Sequence, residues 1–149
     1  VAIESCAEFA TAHNLKVVGI YPNTDPGSYK ILEAIQEAEQ KYSHIRFFKT
    51  LPREFFINLI RHTLALAGNS SMGILEAPFY KLPVVNIGNR QKGRLNAGNV
   101  CFVPHKKQDI IQALQKACFD ESYRTQIANL PNPYGDENAC ERIFILSKI

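Results

Sequence analysis

Residues 63–87, TLALAGNSSMGILEAPFYKLPVVNI, decide the fold of this chain. Both ends of the stretch, residues 63–67 and 84–87, are short aliphatic runs that are typical of buried strands. Between them, a glycine-containing turn leads into residues 72–80, whose pattern predicts a helix that Pro78 ends or kinks. A strand, a helix and a second strand form the unit of a parallel sheet, because parallel neighbours need a crossover.

The same alternation extends in both directions from this stretch. Further strands are predicted at residues 16–21, 45–48 and 100–103. Helices are predicted at residues 3–12, from Ser28 with Ile31, Leu32, Ile35 and Ala38 on one face, at 53–62 after Pro52, at 107–118, at 121–129 and after a turn at 131–135. We therefore expect an α/β fold, a Rossmann-like parallel sheet with helices on both faces, whose ligand-binding loops follow the strands.

The composition fits a single globular domain. Of the 149 residues, 46% are hydrophobic and 21% are charged, so neither disorder nor a fibrous class is indicated. No apolar run is long enough to span a membrane, and Glu4 and Glu8 lie where a signal peptide would be basic and then apolar. We expect a cytoplasmic protein without a membrane partner. The first helical pattern lacks a capping residue, so we also expect the natural chain to continue upstream.

The charges and the cysteines narrow the class of ligand. The net charge is +3 and the 17 basic residues are dispersed, which favours a small anionic ligand over nucleic acid. The cysteines form no CxxC pair and have no histidine at metal-ligand spacing; they are Cys6, Cys101, Cys118 and Cys140. We predict reduced thiols, no metal and no cofactor.

The turn Gly68-Asn69-Ser70-Ser71 is the first candidate site. Its glycine lets the backbone turn sharply, and its two hydroxyls lie beside the free amides of the first turn of the predicted helix. Such a helix end is a common anion site. Asn and Ser are also ordinary helix caps, and on this loop alone capping is favoured over phosphate binding.

Glu76 is the second candidate. It lies roughly 7.5 Å beyond Ser71 along the axis of the predicted helix, about the distance from a phosphate to the ribose hydroxyls of its nucleoside. The carboxylate could accept from both hydroxyls, or it could be a solvated side chain. Its neighbours, among them Leu75 and Phe79, are apolar and make a charge there unusual, and the two interpretations are equally open.

Other polar side chains occur in the remaining strand-end loops. Arg90 and Arg94 follow the next strand, where a guanidinium could reach a diphosphate or a base. Surface solvation is the alternative for each arginine and is favoured for Arg94. Asn23 follows Pro22, and its amide could contact a ligand or form an Asx turn.

Five motifs together resemble the hydrolysing UDP-N-acetylglucosamine 2-epimerases. They are YPNTDPGS, LP ahead of a helix, GNSSMGILEA, PVVNIGNRQKGR and NPYGDENACERI. The resemblance covers most of the chain but only the second half of these enzymes, which have a two-domain fold of the GT-B type. It implies that residues 1–149 are a single C-terminal UDP-binding domain, that the partner N-terminal domain is absent, and that a homo-oligomer is possible.

By position, the resemblance implies six contacts with the UDP part of a UDP-sugar substrate. They are the diphosphate contacts Ser70 and Ser71, the ribose contact Glu76, the further nucleotide contact Arg90, the main-chain uracil contact Leu51 and the polar contact Asn23.

The resemblance also implies a reaction, and it places the proton-transfer residues elsewhere. UDP would be eliminated from UDP-N-acetylglucosamine or a diacetamido analogue, and water would then add, giving N-acetylmannosamine or a related sugar, as in sialic acid biosynthesis. The family's acids and histidine come from upstream, so we expect no catalytic residue in this fragment and no activity from it alone. A glycosyltransferase domain and a stand-alone nucleotide-binding module remain the alternatives.

Two departures inform the choice within the family. Tyr21 and the block Asn69-Ser70-Ser71 stand where non-hydrolysing bacterial relatives have His and Ser-Gly-Gly, which favours the hydrolysing branch. Glu137 follows Asp136 where the closing motif usually continues with glycine, which puts a role for that turn in doubt.

Overall fold

A computed structural model describes residues 1–22, 28–135 and 138 of the chain. Within these ranges the helices and strands follow the predicted order. They are α1 (Ala2–Ala12), β1 (Val17–Ile20), α2 (Ser28–Lys41), β2 (Ile45–Phe48), α3 (Arg53–His62), β3 (Leu66–Gly68), α4 (Met72–Leu75), β4 (Val84–Ile87), β5 (Val100–Val103), α5 (Lys107–Phe119) and α6 (Glu121–Ala128). The helix predicted after residues 131–135 lies outside the described residues.

All the described strand pairs are parallel, which confirms the predicted α/β class. β4 lies between β3 and β5, and β1 pairs with β2. In the described part of the chain these strands form two ladders instead of one continuous sheet. β3 also starts later than predicted, because Thr63 ends α3: its amide donates to the carbonyl of Ile60 and its hydroxyl to that of Leu59.

β4 is buried on both faces, and helices cover both faces of its sheet. Val85 and Ile87 belong to a core cluster with residues of α1 and α5. Val84 points the other way and joins a cluster with Ile60 of α3 and Ala77 from the segment after α4. Because side chains alternate along a strand, consecutive buried residues such as those of β4 occur only in a strand that is covered on both sides. Each buried aliphatic side chain contributes roughly 1.5–3 kcal/mol.

α1 connects the two sheets. Phe9 packs in the cluster beneath β4, while Ala7 packs with Ala38 of α2 and Ile45 of β2. The buried face of α2 is narrower than predicted. Ile35 and Ala38 are buried, but Ile31 is 44% exposed.

Gly73 is required where α4 packs on β4. A Cβ at this position would lie 2.8 Å from Cγ1 of Val84, and the β-branched Val84 is itself buried and unable to rotate away. Gly73→Ala should therefore lower the free energy of unfolding by about 1 kcal/mol, because overpacking outweighs the gain in helix propensity. Urea denaturation measures the change.

The Val84→Ala background is the matched control for this prediction. Removing the Val84 methyl groups makes room for the new Cβ, so Gly73→Ala should cost less there or become stabilising. A stabilising Gly73→Ala in the unmodified chain would contradict the packing described here.

Candidate functional site

The candidate site lies where β3 and β4 end. Gly68 pairs with Asn86, so the loops that follow these two strands begin side by side. Gly68 has a φ of +149°, a region that only glycine adopts readily, as expected for the sharp turn into α4. Parallel pairing thus brings residues 69–71 and 88–99 to one edge of the sheet.

The serine turn both caps α4 and leaves donors free. Ser70 Oγ accepts from the Met72 amide at 3.3 Å, and the Ser71 carbonyl accepts from the amides of Ile74 and Leu75. The amides of Ser70 and Ser71 and the Ser71 hydroxyl have no acceptor among the described residues. Ser70 thus pairs with the first amide of α4 from one residue before the N-cap, whereas the N-cap Ser71 makes no side-chain capping bond. The two serine amides and the Ser71 hydroxyl remain available to a ligand.

α4 is shorter than the helix predicted at residues 72–80: the helix does end before Pro78, as one of the two expected outcomes, but its predicted bound at residue 80 was wrong. The helix ends at Leu75 and is followed by turns up to Lys81. Pro78 has no amide hydrogen and disfavours a helical conformation at the preceding residue, so the helix cannot continue through it. One helical turn has only a small dipole, and any affinity for an anion would depend on the free amides and hydroxyl.

The Glu76 side chain is half-buried and follows the last residue of α4. Its carboxylate makes no hydrogen bond or ion pair with any described residue, so its acceptors are free. The apolar surroundings expected for it are incomplete: Ala77 is buried, but Leu75 and Phe79 are 36% and 44% exposed. Solvent therefore reaches this carboxylate from one side.

Of the remaining predicted contact residues, Arg90 and Leu51 are not held by hydrogen bonds to described residues. Arg90 is exposed on the loop after β4 and has no partner in the described ranges. Leu51 follows β2 on the other sheet, and neither its amide nor its carbonyl is bonded to a described residue. Asn23 lies outside the described residues. Strand pairing thus brings Ser70 and Ser71 near the Arg90 loop, but no ladder links Leu51 to them.

Two buried amides that the sequence analysis did not single out hold the site together. Gln91 is 3% exposed and donates from Nε2 to the carbonyl of Asn69 at 3.1 Å. Asn99 is 1% exposed and donates from Nδ2 to the carbonyls of Gly73 at 3.3 Å and Leu82 at 3.1 Å. The sequence shows only polar residues beside a turn and a strand, and nothing in that pattern reports their burial.

The segment after α6 contacts the loop after β4 and the turn before β4. Tyr134 donates its hydroxyl to the carbonyl of Leu95 at 2.6 Å, and Lys81 Nζ donates to the carbonyl of Leu130 at 2.6 Å. Tyr134 of the closing motif thus contacts the loop after β4. Asp136 and Glu137 lie outside the described residues.

The thiols of Cys6 and Cys118 are free and are held in their protonated form. Burial, and then the neighbouring Cys118, raise the pKa of the Cys6 thiol to about 11, and burial also raises the pKa of Cys118. Both are therefore protonated near neutral pH and are poor nucleophiles. Cys101 is also free, and Cys140 is not described.

Among the described residues there is neither a candidate metal site nor a helix that could span a membrane. No group of three or more His, Cys, Asp or Glu side chains there is arranged to hold a metal ion. Each helix of that part is also too short or too polar to cross a bilayer.

Comparisons with known proteins agree on one family. A family model described as UDP-N-acetylglucosamine 2-epimerase matches residues 2–147. The chain is 34% identical over 148 residues to the hydrolysing UDP-N,N'-diacetylbacillosamine 2-epimerase of Legionella pneumophila, which covers 99% of the chain and 38% of that protein. It is 32% identical over 131 residues to the polysialic acid biosynthesis protein P7 of Escherichia coli, covering 88% of the chain and 32% of P7.

Solved structures show the same fold. The UDP-N-acetylglucosamine 2-epimerase of Neisseria meningitidis, solved with UDP-N-acetylglucosamine, superposes with a TM-score of 0.76 at 24% identity over 99% of this chain and 40% of that one. The Staphylococcus aureus MnaA–UDP co-structure superposes with a TM-score of 0.75 at 25% identity, covering 99% of this chain and 41% of the other. The chain therefore spans well under half the length of the proteins it matches.

Asn99 provides a test of how the site is held. Asn99→Leu keeps the size of the side chain but removes the donor from two carbonyls in the interior. Each unpaired buried acceptor costs about 1–3 kcal/mol; two carbonyls lose their donor, while the unpartnered Asn99 Oδ1 is removed, so the free energy of unfolding should fall by roughly 1–3 kcal/mol. Urea denaturation of Asn89→Leu, an exposed asparagine of the same loop, is the control and should change little. Equal stability of the Asn99 and Asn89 variants would contradict this role.

Proposed function

The chain belongs to the UDP-N-acetylglucosamine 2-epimerase family, and we propose that it is the UDP-binding part of a hydrolysing member. The observation that carries the proposal is the serine turn before α4. Its two free amides and free hydroxyl lie beside an arginine-bearing loop, which suits a diphosphate.

The proposed reaction is elimination of UDP from a UDP-2-acetamido sugar, followed by addition of water with inversion at C2. The product would be N-acetylmannosamine or a related sugar, and the match to a polysialic acid biosynthesis protein supports a role in making such sugars. The Legionella relative is named for a diacetamido sugar, so a UDP-diacetamido sugar fits the proposal equally well as the substrate.

In this proposal the chain binds and stabilises the leaving group. As the bond between the sugar C1 and the diphosphate oxygen breaks, negative charge grows on the departing UDP. The Ser70 and Ser71 amides and the Ser71 hydroxyl donate to the diphosphate oxygens, and these hydrogen bonds strengthen as the charge grows. Proton transfer at C2 is assigned to residues of the longer protein outside this chain.

The nucleoside contacts complete the proposal. The Glu76 carboxylate, which has no described partner, accepts from the two ribose hydroxyls. Arg90 contacts the nucleotide from the neighbouring loop, the free main-chain groups of Leu51 pair with uracil, and Asn23 adds a polar contact.

The first prediction from this proposal concerns binding. The chain alone should bind UDP with a dissociation constant of ~0.1–1 mM, since part of the ligand stays solvated. Glu76→Ala should cost roughly 1.5–3 kcal/mol, because hydrogen bonds to a charged acceptor are lost. Ser71→Ala should cost only about 1 kcal/mol, because the amides remain. Isothermal titration calorimetry measures both changes.

Glu37→Ala, which removes an exposed carboxylate from α2, is the matched control and should leave UDP affinity unchanged. UDP binding that is insensitive to Glu76→Ala would remove the ribose assignment.

The second prediction concerns turnover. The chain alone should release no UDP from UDP-N-acetylglucosamine, because the groups that move the proton at C2 are assigned to another part of the longer protein. A coupled assay for UDP detects release, and a longer protein carrying the upstream half is the positive control. Release by this chain above a buffer blank would refute the division of roles.

A further inference from the structure

Gln91 makes a side-chain hydrogen bond from the loop after β4 to the loop after β3. Its Nε2 donates to the carbonyl of Asn69 at 3.1 Å, and its Oε1 accepts from Nη1 of Arg94 at 2.8 Å. A guanidinium only donates and a carbonyl only accepts. Gln91 must therefore direct its Oε1 toward Arg94 and its Nε2 toward the carbonyl of Asn69. At 3% exposure the Gln91 side chain is enclosed, although its partners Asn69 and Arg94 are exposed residues.

The bond to Asn69 controls the direction of the next amide. The carbonyl of Asn69 and the N–H of Ser70 belong to one planar peptide unit. No cis peptide occurs among the described residues, so this N–H points opposite to the carbonyl. Because Gln91 holds the carbonyl toward the interior, the Ser70 amide faces outward, where the Ser70 side chain is exposed.

We propose that Gln91 is a positioning residue, which turns the Asn69–Ser70 peptide so that the Ser70 amide faces the diphosphate. Gln91 itself touches no ligand. Arg94 acts through Gln91 by keeping the glutamine amide in the required orientation. The inference rests on the proposed function, which supplies the diphosphate, but the geometry that motivates it is independent of any ligand.

Gln91→Met is the direct test, because methionine is similar in length and lacks both hydrogen bonds. Ligand-observed NMR on this chain should show UDP affinity lowered about five- to tenfold, since a charge-assisted hydrogen bond is lost. Uridine, which has no phosphate, should bind this variant as it binds the unmodified chain. Gln108→Met, an exposed glutamine of α5, should leave both affinities unchanged.

A second readout needs no nucleotide. The ¹⁵N heteronuclear NOE of the Ser70 amide should fall in Gln91→Met, while that of Val85 in β4 should stay the same. If Gln91→Met does not fold, Gln91→Glu replaces it, because the carboxylate still accepts from Arg94 but offers no donor to Asn69.

The outcomes separate this inference from the proposed function. An unmodified chain that binds UDP, with a variant whose UDP affinity and Ser70 NOE are both unchanged, would overturn the positioning role alone. An equal loss of UDP and uridine affinity would also overturn it, since that result indicates a general loss of structure. An unmodified chain that binds no UDP would refute the proposed function and, with it, the diphosphate as the target of the Ser70 amide.

Discussion

The parallel pairing of β4 with β3 on one side and β5 on the other is the constraint on which the rest of the structure depends. Such a strand is buried on both faces, so its side chains must be apolar or hydrogen-bonded, as Asn86 is to the carbonyl of Gly88, and helices must cover it on both sides. Each connection then returns across a face of the sheet, and all strands end at the same edge. The loops at that edge are the part of the sheet that remains free to carry polar chemistry.

The loops at this edge have irregular backbone, and irregular backbone leaves carbonyls without partners in a ladder or helix. In this chain the carbonyls of Asn69, Gly73 and Leu82 accept from the buried side chains of Gln91 and Asn99. An interior carbonyl without a donor would cost about 1–3 kcal/mol, so these two amides help to keep a short helix in place. Asn99 Oδ1 itself has no partner in the described part of the chain.

Most of the fold could be predicted because local signals and packing agree. β2, β4 and α3 have the predicted bounds, since their β-branched runs, helical spacing and Pro52 indicate the same elements. α4 was predicted too long, because its apolar residues continue beyond the point where Pro78 prevents a helix. The serine turn and Arg90 became candidates from their own residues, and only the family resemblance assigned them to UDP. Gln91 and Asn99 depend on burial, which emerges only when distant segments pack together.

The central claim is that a UDP nucleotide binds at the carboxyl ends of β3 and β4. An NMR titration of the ¹⁵N-labelled chain with UDP tests it most directly, because every backbone amide reports on its own surroundings. The account predicts that the largest shift changes fall on the amides of Ser70, Ser71 and Glu76 and on the loop that carries Arg90. Changes confined to other surfaces, or no change at millimolar UDP, would contradict it.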